Sequence, residues 1–190
     1  RRCYEKGEFV SVEGKKCTKF GIVLSGVLAI QKISKNGEYS TIDFISDWDV
    51  FGEKVLFNAD STYEANLEAV TRTEVLMIPK DTMSIFVEEN PQIKDNLLRM
   101  LTDSVSRQYR RIELLSKRTV REKILFYIWC LYRENQADYS EKCVSSVVEL
   151  PVSKEVVSKY LAMPRPSFSR ELSEIEKSGL IKCEGKSIRI

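Results

Sequence analysis

The chain has 190 residues, 43% hydrophobic and 31% charged, with 30 Lys and Arg against 28 Asp and Glu, the make-up of an ordinary globular protein of one large or two small domains. It contains no histidine, which excludes Ser-His and Cys-His nucleophile systems and any histidine-ligated metal site. No stretch approaches the roughly 18 apolar residues that cross a bilayer, so no membrane partner is expected, and the abrupt polar start "RRCYEKGEFV" suggests that further residues precede it.

Charge is unevenly spread. Residues 1–106 hold 13 Lys/Arg against 17 Asp/Glu, whereas residues 107–190 hold 17 against 11. A basic second half points to an anionic partner for that half alone. Five cysteines (Cys3, Cys17, Cys130, Cys143 and Cys183) form an odd, scattered set without a C-x-x-C pair. That spacing signals neither disulfides nor zinc and fits reduced thiols in the cytoplasm; an iron–sulfur cluster is not expected.

The first 80 residues read as β. Short runs, "FGIVL", "VLAIQKI", "YSTIDFI", "DWDVFGE", "EANLEAV" and "EVLMIP", are separated by turn residues, and Asn36-Gly37 between two alternating runs marks a hairpin. Strands at such spacing predict a small antiparallel barrel or roll. Helices follow. "KDTMSIFVEEN" is short and stops before Pro91, and "PQIKDNLLRMLTDSVSRQYRRIELLSK" is long and unbroken. Its apolar stripe is Ile93, Leu97, Leu98, Leu101, Val105, Ile112 and Leu115, at helical steps of three and four. Leu98, Leu101, Val105 and Ile112 are the expected seam of a homodimer, because a helix this long outreaches a small barrel.

"TVREKILFYIWCLYREN" predicts a further apolar helix, and after the polar "QADYSEKCVSS" comes a strand-like "VVELP". The pattern then runs helix, turn, helix, hairpin. Ser153 caps "KEVVSKYLA", "MPRP" is the turn, "SFSRELSEIEKS" is the second helix stopped by Gly179, and "LIKCEG" and "KSIRI" form a hairpin. This is a helix-turn-helix with a wing, whose second helix meets the DNA major groove with its N-terminal end. Prolines suit that end, where backbone N–H groups have no helical partner. Arg165 and Arg170 carry forked donors for guanine O6 and N7, Ser167 and Ser169 allow close approach and donate to phosphates, and Lys154, Lys159 and Lys186 add phosphate attraction.

The segments "YEKGEFV..EGKKCTKFGIVLSGVLAIQK", "DVFGE", "LLSKRTVREKIL" and "VSKEVVSKYLAMPRPSFSRELSEIEKSGLI" together resemble the Crp–Fnr family of bacterial transcription regulators over nearly the whole chain. The resemblance implies an α+β fold: a β-roll effector-sensing domain at 1–89, a dimerisation helix at 90–117 and a winged helix-turn-helix at 118–190. It implies a homodimer on double-stranded palindromic DNA, contact with RNA polymerase, no enzymatic activity and a cytoplasmic location. Carried over position by position, base reading falls on Arg165, Pro166 and Arg170, phosphate contact on Ser153 and Ser167, and the wing tip on Gly185 and Lys186. Pro166 replaces an acidic residue that reads bases in well-known members, so a different operator is expected.

The family's cyclic-nucleotide pocket pairs Gly-Glu with a later Arg-Ser that neutralises the cyclic phosphate. Here Gly52-Glu53 is present, but Tyr63-Glu64 stands at the second place and Gln108-Tyr109 at the base-contacting Thr-Ser. A carboxylate without a balancing arginine repels a phosphate. Cyclic AMP is therefore not expected as ligand, and the effector is an unidentified small molecule or redox signal. Two competing readings are weaker. A sensor module that regulates another protein would carry no basic helix-turn-helix, and a cupin-like enzyme would need histidine ligands.

Overall fold

The computed structural model describes residues 1–33, 37, 39–58, 61–137 and 147–190. The chain divides into two compact units, Arg1–Gln108 and Tyr109–Ile190.

In the first unit, β1 (Arg2–Tyr4), β8 (Thr73–Pro79), β3 (Lys19–Ser25) and β6 (Val50–Phe51) form one antiparallel sheet in that order. A second sheet has the order β2 (Phe9–Ser11), β7 (Asn66–Ala69), β4 (Leu28–Ile33), β5 (Tyr39–Ile45). Alternation in β5 turns Thr41, Asp43 and Ile45 inward. Val23, Phe51 and Val75 of one sheet meet Leu28, Ile45, Leu67 and Ala69 of the other in a single core, the expected roll. The expected strands are found, and β4 pairs with β5 up to Ile33 opposite Tyr39. Of the expected hairpin turn only Gly37 is described; Asn36 lies outside the described residues, as do 138–146 of the polar stretch, with Cys143.

A second cluster sits where helices close the roll. Cys17, Phe20 and Val55 pack with Met83 of α2 (Lys80–Glu89) and Leu97 of α3 (Pro91–Ser116), and Ile93 and Leu101 lie half-buried against them. α1 (Lys54–Phe57) is a single turn that the sequence pattern did not reveal.

The second unit contains the end of α3, then α4 (Val120–Ala137), β9 (Val147–Glu149), α5 (Lys154–Tyr160), α6 (Arg165–Lys177), β10 (Lys182–Glu184) and β11 (Ser187–Arg189). The wing has three strands, ordered β10-β11-β9, so "VVELP" supplies a strand to the hairpin. Ile124, Ile128, Val148, Val157, Leu161, Phe168, Leu172, Ile175 and Ile188 are buried in its core. Arg111 lies 3.9 Å over the Tyr160 ring, and Tyr160 packs 5.7 Å from Tyr127, which ties the end of α3 and α4 to α5.

Gly52 shows how tightly the roll corner is drawn. It has φ +73°, and a Cβ there would lie 2.6 Å from the Lys19 carbonyl oxygen and 3.1 Å from Cys17 Sγ. Gly52→Ala meets both a left-handed backbone and a steric block. It is expected to lower stability by about 1–3 kcal/mol in denaturant unfolding.

Candidate nucleic-acid interface

The helix-turn-helix is built by residues of the expected types, with one boundary moved. Ser153 is the N-cap of α5 and its side chain accepts the Val156 amide at 3.4 Å. Leu161 closes α5, and the turn places Ala162 at φ +51°. α6 begins earlier than its pattern predicts, at Arg165 with Pro164 as N-cap, so Pro166 lies inside the first turn. Proline is tolerated there because no intrahelical acceptor awaits its missing N–H.

α6 has two unlike sides. Phe168, Leu172 and Ile175 are buried. Arg165, Pro166, Ser169 and Arg170 are exposed and Ser167 is half-buried. The Arg165 Nε–H donates to Ser169 Oγ at 3.1 Å, a contact the i,i+4 spacing could have flagged. Arg170 has no polar partner among the described residues. The helix's own carboxylates are engaged elsewhere. Glu171 pairs with Arg121 of α4 at 3.4 Å, Glu174 with Lys177 at 2.8 Å, and Glu176 accepts the Cys183 amide at 2.8 Å. Lys177 holds the Glu174 carboxyl below its ordinary range. The first two turns therefore present two guanidinium groups, Arg165 and Arg170, that no carboxylate of the helix pairs with. Gly185 and Lys186, both exposed, form the tip between β10 and β11.

The long helix divides the expected seam by exposure. Leu98, Val105 and Ile112 are 54%, 54% and 62% exposed, as a seam awaiting a partner requires. Leu101 is not with them; it packs half-buried on the roll cluster. The physical reason is periodicity: seven-residue spacing keeps Leu98, Val105 and Ile112 on one face, while Leu101 falls in line with Leu97 toward the roll. Tyr109, 71% exposed, continues the outer face.

The roll holds a cavity of about 170 Å³ lined by Gly52, Glu53, Tyr63, Glu64 and Gln108. Tyr109 is not among the lining residues, because the next position on a helix points about 100° away. Sequence reasoning missed the cation here. Lys54 of α1, also lining the cavity, forms an ion pair with Glu64, and this pairing lowers the Glu64 carboxyl's pKa. Gln108 Nε2 donates to Asp43 Oδ2 at 2.9 Å, and Arg107 pairs with Asp49 at 3.3 Å. Burial, helped by the Cys17 thiol, pushes the Tyr63 phenol well above its ordinary range. Burial also pushes the Cys130 thiol up to about 11. Among the described residues no cluster of His, Cys, Asp and Glu is arranged to hold a metal ion, and no helix is long and apolar enough to cross a membrane.

A capped first helix, a tight turn, a second helix with a bare cationic first turn and a three-stranded wing define a winged helix-turn-helix protein of the DNA-binding class. Comparison agrees along the chain. Residues 1–90 match the cyclic nucleotide-binding domain and residues 123–190 the Crp-like helix-turn-helix domain. Transcriptional activator protein anr of Pseudomonas aeruginosa is 27% identical over 190 residues, spanning 100% of this chain and 75% of that protein. Nitrogen fixation regulation protein FixK of Bradyrhizobium diazoefficiens is 25% identical, spanning 94% of this chain and 72% of that protein. The solved structure of FixK2 from Bradyrhizobium japonicum shares the fold, with a TM-score of 0.80 at 20% identity, covering 100% of this chain and 90% of that one. The chain belongs to the Crp–Fnr family and is a DNA-binding transcription regulator.

Proposed function

We propose that the protein acts as a homodimer on palindromic double-stranded DNA, reading bases with Arg165 and Arg170 at the start of α6. The observation that carries this reading is the two-sided helix: Phe168, Leu172 and Ile175 hold it from behind, and its first turn is left cationic and uncovered. Ser153, Ser167, Gly185 and Lys186 lie where phosphates flank the groove. Pro166 offers an apolar ring in place of a carboxylate, suited to a thymine methyl rather than a cytosine amine. Dimerisation runs along Leu98, Val105, Tyr109 and Ile112. A regulator of this kind works in the cytoplasm and contacts RNA polymerase, and it has no catalytic role.

The roll senses something other than a cyclic nucleotide. The cavity is small beside the ~300–1,000 Å³ of typical ligand sites. Among the described residues its lining cations are committed, Lys54 to Glu64 and Arg107 to Asp49, so none of these is left over to clamp a cyclic phosphate. The effector is a small molecule without such a phosphate, or a redox signal.

Four outcomes follow from this reading. Arg170→Ala is expected to cost about 1–3 kcal/mol on the operator and little on scrambled duplex. Lys186→Ala weakens both duplexes alike and lowers the salt slope by about one unit per protomer, in titrations at two salt concentrations. Sedimentation of Leu98→Asp/Val105→Asp is expected to show monomers where the parent protein is a dimer at micromolar concentration. Calorimetry with cyclic AMP or cyclic GMP is expected to show no saturable binding at micromolar ligand, whereas saturation would return the roll to nucleotide sensing.

A further inference from the structure

Exposed hydroxyls on the helices of this chain usually bond to their own backbone. Thr102, Ser106 and Ser116 of α3 each donate to the carbonyl four residues earlier, and Ser178 donates to Ile175. That is the ordinary fate of such a side chain in a helix. Ser169 departs from it. Its oxygen accepts the Nε–H of Arg165, one turn back, at 3.1 Å. Both residues are exposed, so burial does not force the contact.

The chemistry of the bond matters. A guanidinium has five N–H donors in one plane. Engaging Nε fixes the orientation of that plane and leaves both terminal NH2 groups, the pair that matches guanine O6 and N7. A carboxylate partner would also orient the arginine, but it would cancel the charge and compete with DNA. A serine hydroxyl orients without neutralising. Arg170 lacks such a guide: four residues before it stands Pro166, whose side chain has no acceptor, and no described residue bonds to it.

We propose that Ser169 is a positioning residue that pre-orients Arg165 for a guanine edge, so that α6 meets each half-site with one guided arginine and one free one. This rests on the reading of α6 as the DNA-contacting helix. Holding Arg165 in place before binding removes part of the ordering cost otherwise met on association, an effect of about two- to twelvefold in affinity for one long side chain.

The test uses the full-length dimer and the duplex that it selects from a random pool. On that duplex Ser169→Ala is expected to weaken binding about two- to twelvefold per half-site, or about four- to 140-fold for the dimer that loses both copies, with no change on scrambled duplex. Ser169→Thr, which keeps the hydroxyl, restores affinity. In an Arg165→Ala background, Ser169→Ala changes nothing further. An equal loss from Ser169→Ala with and without Arg165 would overturn the proposal, because Ser169 would then touch DNA itself. So would equal losses on operator and scrambled duplex. If Arg165→Ala leaves operator binding intact while Arg170→Ala weakens it, the positioning role falls and the DNA reading of α6 stands. If the parent protein selects no sequence at all, the DNA reading falls and takes the positioning role with it.

Discussion

A helix that must enter a DNA groove cannot be covered by its own protein where it makes contact, yet it has to be held rigidly from behind. That demand organises the second unit. Phe168, Leu172 and Ile175 supply the hold through burial, each contributing on the order of 1.5–3 kcal/mol for a fully buried apolar side chain. The acids of α6 are drawn to the protein side, Glu171 by Arg121 and Glu176 by the Cys183 amide. These are weak interactions energetically, since exposed ion pairs contribute little. Their effect is on sign: the first turn holds no acid, and these later ones are paired with groups of the protein.

Much of this was legible in the sequence because it is periodic or chemically punctuated. "YSTIDFI" alternates and became β5 with the same bounds, and Phe168, Leu172 and Ile175 announce a buried helix face by their spacing. α1 has four residues, too few for any period to register. The stripe on α3 misled for a different reason. Its seven apolar positions span more arc than one interface needs, and composition cannot say that Leu101 turns to the roll while Leu98 turns outward. α6 starts two residues before the helix that its pattern predicts, because Pro166 belongs to the first helical turn and not to the loop.

The cavity residues show the limit of motif comparison. Tyr63-Glu64 read as an unbalanced carboxylate, but the balancing charge is Lys54, ten residues earlier and brought there by a helix the pattern did not reveal. Gly52 was read as part of a ligand motif; its φ of +73° and the nearby Lys19 carbonyl require glycine there whatever the roll binds. Backbone geometry alone therefore accounts for glycine at this position.

The wing has a consequence in time. β11 is the middle strand, and neither β9 nor β10 bonds to the other, so both lack a sheet partner until Ser187–Arg189 joins them. The Leu150 amide also waits for the Lys186 carbonyl. Along the chain Val148 and its partner Ile188 are 40 residues apart, and the whole helix-turn-helix lies between them. During synthesis α5 and α6 emerge first, when the sheet beside them cannot yet exist. A nascent chain thus carries α5 and α6 well before it has the sheet that frames them, and the wing closes only once β11 has been made.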